Sequence, residues 1–549
     1  MCPGGCGRSG TGETEDQNGM NRLIRKIGRS ALCAALCAAL LLGSCGCGKK
    51  EEESPENHLF TYALSEEPAS LDPQVASGEA ALTAVRNLYE GLCRLDENGA
   101  AVPGAASQWD CSDDGRTYTF SIRFGAQWSD GTPLTAADFV YGIRRALEPK
   151  TRCPAVSELF VVAGAEAYYN GEGEWDDVGV CAVNSRTLRI TLNAPDDSFP
   201  AQTARSPYMP CNEAFFKSTG GRYGMEPDAV LCNGPFVLRA RSGWVHGEYI
   251  RLVRNKNYVG EETVSPSGVM LKIEDPKEPA DPVESVRSGK VNLARMSDED
   301  AVRAERAGLQ VISFAESTWG LAFNGTDGAF ENESVRQAFL CAINRSELMT
   351  FYPEEAANTV NVIPAAITWH GRSYRRQAQN CSLLTSEQSP MQLLAQGLTE
   401  LNRKDLPAIS VLCVDTAENR LLVNQLLTDW RQTLGCYVNV ETVADEGELE
   451  KRVRSGRYQI ALTGIRAQED SATAFLQQVM EVTGWSGAEI SAEMTLESVR
   501  AAEDRLIESG AFYPMYARSS CYALGTMVTG VCVQPFGGGI DFRRAGRTA

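Results

Sequence analysis

Histidine is nearly missing from this chain: of 549 residues only His58, His246 and His370 are imidazoles. Scattered so widely, they cannot supply the His-x-x-x-His pair that a zinc site draws from one helix. No Gly-x-Ser-x-Gly elbow or phosphate-cradling glycine loop stands ahead of a predicted helix. Without a nucleophile–base pair or a cluster of metal ligands, no catalytic residue, metal or cofactor is assigned. A positive excess is missing too. Lys and Arg number 52 against 71 Asp and Glu, a net charge of −19. A nucleic-acid surface needs basic clusters, so that partner is excluded. Long apolar runs are also absent: Ala31 to Leu42 spans twelve residues, too few to cross a bilayer. Cysteines number eighteen, yet outside the N-terminal segment no pair has the Cys-x-x-Cys spacing of a redox or zinc motif. Several, such as Cys181, Cys341 and Cys413, stand in apolar runs and are expected to be small buried hydrophobes.

The N-terminal segment is organised for export. Arg22, Arg25, Lys26 and Arg29 precede the apolar run, and Leu42-Gly43-Ser44-Cys45 ends it. That order is a signal peptide, expected over residues 1–44. Met20 could head it unaided, whereas Met1 to Gly19 lacks signal character, so Met20 is the expected start. Small residues before Cys45 resemble a bacterial lipobox, which would make Cys45 the lipid-modified terminus; ordinary secretory cleavage is the alternative. Two acyl chains anchor stably where one is marginal. Residues 45–57 are then a tether reaching roughly 20 Å if flexible.

The remainder is too long for one core, and the whole chain has the apolar content (43%) and charge (22%) of a soluble globular protein. Its most specific wording lies between Cys111 and Arg145. Ser112-Asp113-Asp114-Gly115 is a turn. Tyr118, Phe120 and Ile122 then alternate with Thr119, Ser121 and Arg123 as a half-buried strand. Thr135 stands three residues before Asp138 as a capping pair, and Phe139, Ile143, Ala146 and Leu147 recur at helical spacing until Pro149. Leu188, Ile190 and Leu192 make another alternating strand. Ala408–Val414, then Leu422, Leu426, Trp430 and Leu434, then Tyr437–Val440 read as a β-α-β unit, which needs a parallel sheet. Gln459–Thr463 is a further buried strand.

Asp-Gly-x-x-Tyr-x-Phe, Trp128-Ser129-Asp130-Gly131-Thr132-Pro133-Leu134-Thr135 and Arg144-Arg145-Ala146-Leu147 closely resemble the oligopeptide- and dipeptide-binding proteins of ABC importers (extracellular solute-binding family 5). So do Ser70-Leu71-Asp72-Pro73, Leu88-Tyr89-Glu90-Gly91, Asn233-Gly234-Pro235-Phe236, Asn255-Lys256-Asn257-Tyr258 and Gly289-Lys290-Val291-Asn292 (Asn for the usual Asp). Leu321–Asn324 and Val335–Arg345 match too, with Val335, Phe339 and Ile343 on one helix face and Asn344 inside that helix. The resemblance implies an α/β, two-lobed periplasmic-binding-protein-like fold of type II with an extra subdomain, the ligand cleft lying between the lobes. Lobe one would take residues 58–95, 96–198 (the extra subdomain), 199–317 and 516–549; lobe two would take 318–515. It implies a non-enzymatic, monomeric, extracytoplasmic lipoprotein that binds a peptide or peptide-like solute and serves an ABC permease and its ATPase.

By the same resemblance the ligand contacts are Glu67, Asn233, Gly234, Gly464, Ile465, Arg466 and Gln468. Relatives place an aspartate in an Ala-Asp-Tyr motif against the peptide's α-ammonium. Anchored on Phe475-Leu476, the present chain puts Gln468 there. Neutral Gln468 can accept a hydrogen bond from an ammonium but cannot neutralise it. Glu469 or Asp470 would substitute after a one-residue shift. Arg466 favours an anionic group on the ligand, unless it pairs with Glu469 or Asp470. Other readings are a non-peptide solute (nickel chelate, haem, opine, oligosaccharide), a sensory or adhesive surface lipoprotein, and a peptide hydrolase.

Overall fold

The computed structural model describes residues 59–549 except 98, 276, 327, 370, 371, 469, 492, 493, 537, 538 and 549, leaving aside the side chains of 240 and 241. The export signal, Cys45, the tether, His58, His370 and Glu469 therefore lie outside the described residues. Along the chain, β1 (Leu59–Leu64) turns Phe60, Tyr62 and Leu64 inward. Next, α1 (Gly78–Leu88) buries an alanine-rich stripe ending in Val85 and Leu88. The turn at Ser112–Gly115 joins β2 (Ala106–Cys111) to β3 (Thr117–Ile122), whose buried residues are the expected Tyr118, Phe120 and Ile122. Helix α2 (Ala136–Leu147) opens on the expected cap, Thr135 N donating to Asp138 Oδ2 at 2.8 Å. After β4 (Val180–Asn184) and β5 (Thr187–Thr191) come β6 (Phe236–Leu238), β7 (Tyr249–Arg254) and β8 (Gly268–Ile273).

Gly289–Asn292 was expected at a strand's end. Instead it joins α3 (Pro282–Arg287) to the start of β9 (Leu293–Met296). Asn292 Oδ1 accepts from Thr61 N at 2.7 Å, so amide or carboxylate would serve equally as acceptor. Then follow α4 (Asp298–Arg306), the fourteen-residue β10 (Gln310–Phe323) and α5 (Glu333–Cys341). Ile343 falls beyond that helix, and Asn344 is the cap of the next turn, not a helix interior residue. The β-α-β unit is β11 (Ile409–Val414), α6 (Ala417–Leu434) and β12 (Val438–Val443), with Leu422, Leu426, Trp430 and Leu434 buried. Gly435 ends α6 at φ +67°, where a side chain would be strained. Last come α7 (Glu446–Arg454), β13 (Ile460–Arg466), α8 (Ala472–Thr483), α9 (Leu496–Glu508) and the thirteen-residue β14 (Phe512–Leu524).

One sheet runs β12-β11-β13-β10-β14-β9-β1-β8-β7-β6. Its two long strands cross from one lobe to the other. Leu321 and Phe323 of β10 join a core with Trp430, while Tyr522 and Leu524 of β14 join another with Phe60 and Leu271. The β10–β14 ladder is irregular between Phe314 and Ser317, at the crossing. A separate sheet, β2-β3-β5-β4, carries the extra subdomain. Phe120, Leu188 and Ile190 nevertheless share one continuous core with Leu64 and Leu271, so this sheet is a layer on lobe one. Among the described residues no helix is long and apolar enough to cross a membrane.

Two buried networks tie distant motifs together. Arg145 of α2 grips Asp72 in a two-pronged pair (2.7 and 3.2 Å), and its guanidinium lies 3.9 Å from the Phe216 ring centroid. Arg543 contacts Glu90 (2.9 Å), Tyr258 Oη (2.9 Å) and Asp541 (3.3 Å), which fixes the C-terminal segment to lobe one. The most specific motifs are architectural ones.

Candidate functional site

Strand registers locate the cleft. β13 runs antiparallel to β10, with Arg466 opposite Ser317, so its carboxyl end stops at the crossing; β11 and β12 are parallel to it. On the other side Met296 of β9 faces Cys521 of β14, and β1 is parallel to β9. Both lobes thus aim the carboxyl ends of their parallel strands at the same crossing. In open α/β sheets ligands bind just outside those ends.

A polar chain crosses this floor. From lobe one, Glu79 at the start of α1 accepts from Tyr62 Oη and pairs with Arg295 Nη1 at 2.9 Å. Arg295 Nη2 donates to Ser520 Oγ at 3.5 Å, and Ser520 donates to Glu316 Oε1 at 2.5 Å. Glu316 Oε2 accepts from Phe536 N at 3.2 Å, and Arg466 Nε of lobe two lies 3.5 Å from Oε1. Burial works against the charge on Arg295, but Glu79, Tyr522, Tyr62 and Glu316 outweigh it and raise its pKa. Beside the chain, Arg518 lies 4.4 Å from the Trp319 ring and pairs with Glu446 at 3.0 Å.

The predicted residues fall into two groups. Arg466 and Gln468 stand exposed at the crossing, where Gln468 Nε2 makes one long contact (3.5 Å) to Arg466 O. The strand expected over Gln459–Thr463 runs further, and Gly464, Ile465 and Arg466 are the last residues of β13, paired with Trp319, Thr318 and Ser317. Ile465 turns its side chain into the lobe-two core, so a ligand contact there would use its main chain. Gly464 is a packing position: a Cβ there would meet Trp319 at 2.3 Å. Asn233 is buried, its amide closed on the backbone of Glu90 at 2.8 and 3.2 Å, and a Cβ on Gly234 would strike Leu88 backbone at 2.6 Å. Both positions are closely packed against the backbone of Leu88 and Glu90.

Glu67 lies past the carboxyl end of β1, where its carboxylate meets Trp244 Nε1 (2.9 Å), His246 Nδ1 (2.5 Å) and Gly247 N (3.0 Å). Partial burial opposes its charge, but these bonds prevail and hold the carboxyl below its usual range. Of the two acids expected beside Arg466, Glu469 lies outside the described residues. Asp470 is occupied by Thr368, whose N and Oγ1 lie 2.5 and 2.6 Å from its oxygens, and Arg466 turns to Glu316 instead. Sequence reasoning missed Glu316, Ser520, Arg295 and Phe536. The available signal was a lone acid, Glu316, inside the mostly apolar run from Val311 to Phe323. The burial of cysteines is mixed: Cys413 is buried as expected, Cys341 is half-buried and Cys181 is exposed.

Comparison with known proteins agrees with this geometry. Residues 100–487 match the profile of bacterial extracellular solute-binding proteins, family 5 (middle region). The dipeptide-binding protein DppE of Bacillus subtilis is 27% identical over 548 residues, covering 94% of this chain and 98% of that protein. The periplasmic murein peptide-binding protein MppA of Escherichia coli is 37% identical over 229 residues, covering 40% and 42%. Among solved structures, Haemophilus influenzae OppA in complex with the peptide RPPGFSPFR superposes at TM-score 0.70 with 22% identity, covering 90% of this chain and 99% of that one. Listeria monocytogenes OppA bound to peptide gives 0.69 at 22%, over the same shares.

Proposed function

The chain belongs to the bacterial extracellular solute-binding proteins of family 5, and from that premise we propose that it captures a peptide between its lobes and hands it to an ABC permease. One observation carries the reading: two lobes joined by β10 and β14 present the carboxyl ends of their parallel strands to one crossing. A peptide laid there meets main-chain donors and acceptors from both sides, which bind it with little regard for its side chains. Hinge closure then traps it, provided the closed state binds it more tightly. Relatives named for dipeptides, oligopeptides and murein peptides support the substrate class. They are named as binding proteins, which supports a non-enzymatic role here. The lobe limits proposed are those of the sequence, with the crossing at 314–317 and 518–520.

Mass spectrometry of what co-purifies with the full protein tests the reading. Peptides in the denatured supernatant are expected, and a solute without amide bonds would remove the peptide assignment. The extracytoplasmic address includes a lipid anchor at Cys45. Cys45→Ala should move the protein from the membrane fraction to the soluble one; a variant that stays membrane-bound would refute the anchor.

A further inference from the structure

The floor of the crossing shows its charges unequally. Arg466 leaves 52% of its side chain exposed while its partner Glu316 leaves 6%; Arg295 leaves 35% and Glu79 leaves 20%. The acids are the inner members of both pairs, and the guanidinium groups are the outer ones. Among the described residues of this floor a solute therefore meets positive charge first, in a chain whose net charge is −19. Glu316 is closed to a ligand's ammonium, because Ser520 Oγ, Phe536 N and Arg466 already surround its oxygens. Gln468 carries no charge, and Asp470 is bound by Thr368. Arg518 is committed to the Trp319 face and to Glu446.

We propose that this floor is a receptor for a carboxylate of the solute, held between Arg466 from lobe two and Arg295 from lobe one. A guanidinium offers several N–H donors in one plane and grips a carboxylate through two of them. Arg466 approaches Glu316 most closely through Nε, and Arg295 reaches Glu79 and Ser520 through its two Nη atoms. The arms belong to different lobes and, among the described residues, are linked through Ser520 and Glu316. An anion that touches both binds the closed state more tightly than the open one, which is the differential affinity that closure requires. The inference rests on the peptide reading and names its class: peptides with a free carboxylate, terminal or on Asp or Glu.

Two synthetic tripeptide libraries with free amino ends, one of C-terminal acids and one of C-terminal amides, separate these ideas. Each is equilibrated with the ligand-stripped full protein, and the retained members are counted by ultrafiltration and mass spectrometry. Acids should be retained at least about tenfold over amides, and the amides retained should contain Asp or Glu. Arg466→Gln should cut that preference to under about threefold, and Arg466→Lys should keep part of it, with unchanged melting temperatures. Arg295→Gln should act in the same direction. Retention of neutral amides within threefold of the acids, or a preference that survives Arg466→Gln, overturns the carboxylate receptor and leaves the peptide reading intact. Retention of neither library overturns the peptide reading, and this inference with it.

Discussion

Asp470 is, with Glu469, one of two residues that could have replaced the relatives' ammonium-binding acid, and Thr368 holds both of its oxygens. With Gln468 neutral, blocking a bound peptide's amino end should cost little. N-acetylation is expected to weaken binding by less than about 1.4 kcal/mol, or tenfold. Were a buried carboxylate left unpaired by it, the loss would be about 3–5 kcal/mol. Calorimetry on the co-purified peptide and its acetylated form decides, and a loss of a hundredfold would show that an acid does meet the ammonium. Arg145 is the opposite kind of residue. Its pair with Asp72 leaves both side chains 6% exposed. Truncating one partner strands the other's charge, so Arg145→Ala should lower stability by roughly 3–5 kcal/mol. Urea unfolding measures this through a lower midpoint at unchanged slope; a shift below about 1 kcal/mol would mean that water reaches Asp72.

At the scale of elements, the C-terminal segment is held by buried charge. Burial alone would raise the pKa of Asp541. Arg543, the backbone N–H of Arg543, Arg86 and Arg94 prevail and hold it below the usual carboxylate range. A folded value below the unfolded one means that its stabilisation is full above about pH 4 and is lost as pH falls through the folded value. Hydrogen exchange across Val528–Arg547, corrected for intrinsic rates, should therefore lose protection on acidification from pH 7 to pH 3. Asp541→Asn should show weaker protection at pH 7 and a flatter pH response. Equal acid sensitivity in the variant would place the effect on another group.

For the whole molecule, the lobes share more than two strands. Phe536 sits in the lobe-two core, although Val533 and Ile540 on either side of it pack into lobe one. Its backbone adopts φ +62°, an unfavourable value for a residue with a side chain, and its N–H is held by Glu316 at the crossing. The C-terminal segment is therefore a third connection, expected to limit how far the cleft opens. Phe536→Ala should broaden the interlobe distances measured between spin labels on the two lobes in the ligand-free protein. An unchanged distribution would leave hinge control to β10 and β14 alone.

Several features needed only the local sequence. The capped helix after Thr135, the alternating strands at Tyr118 and Leu188, the β-α-β unit around Trp430 and the family wording are all set by near neighbours, because turn chemistry and hydrophobic period act over a few residues. The candidate site was only half legible for the same reason. Arg466 and Gln468 stood out as departures from a motif, but their partners did not. Glu316 lies 150 residues before Arg466 and 204 before Ser520, and no local pattern couples such positions. Their juxtaposition, the closure of Asn233 and Gly234 into packing roles, and the outward display of the guanidinium groups were decided when β10 and β14 paired across the lobes. Strand register is a long-range choice, made by which faces can be buried together, and it turned a lone acid in an apolar strand into the inner half of a charged pair.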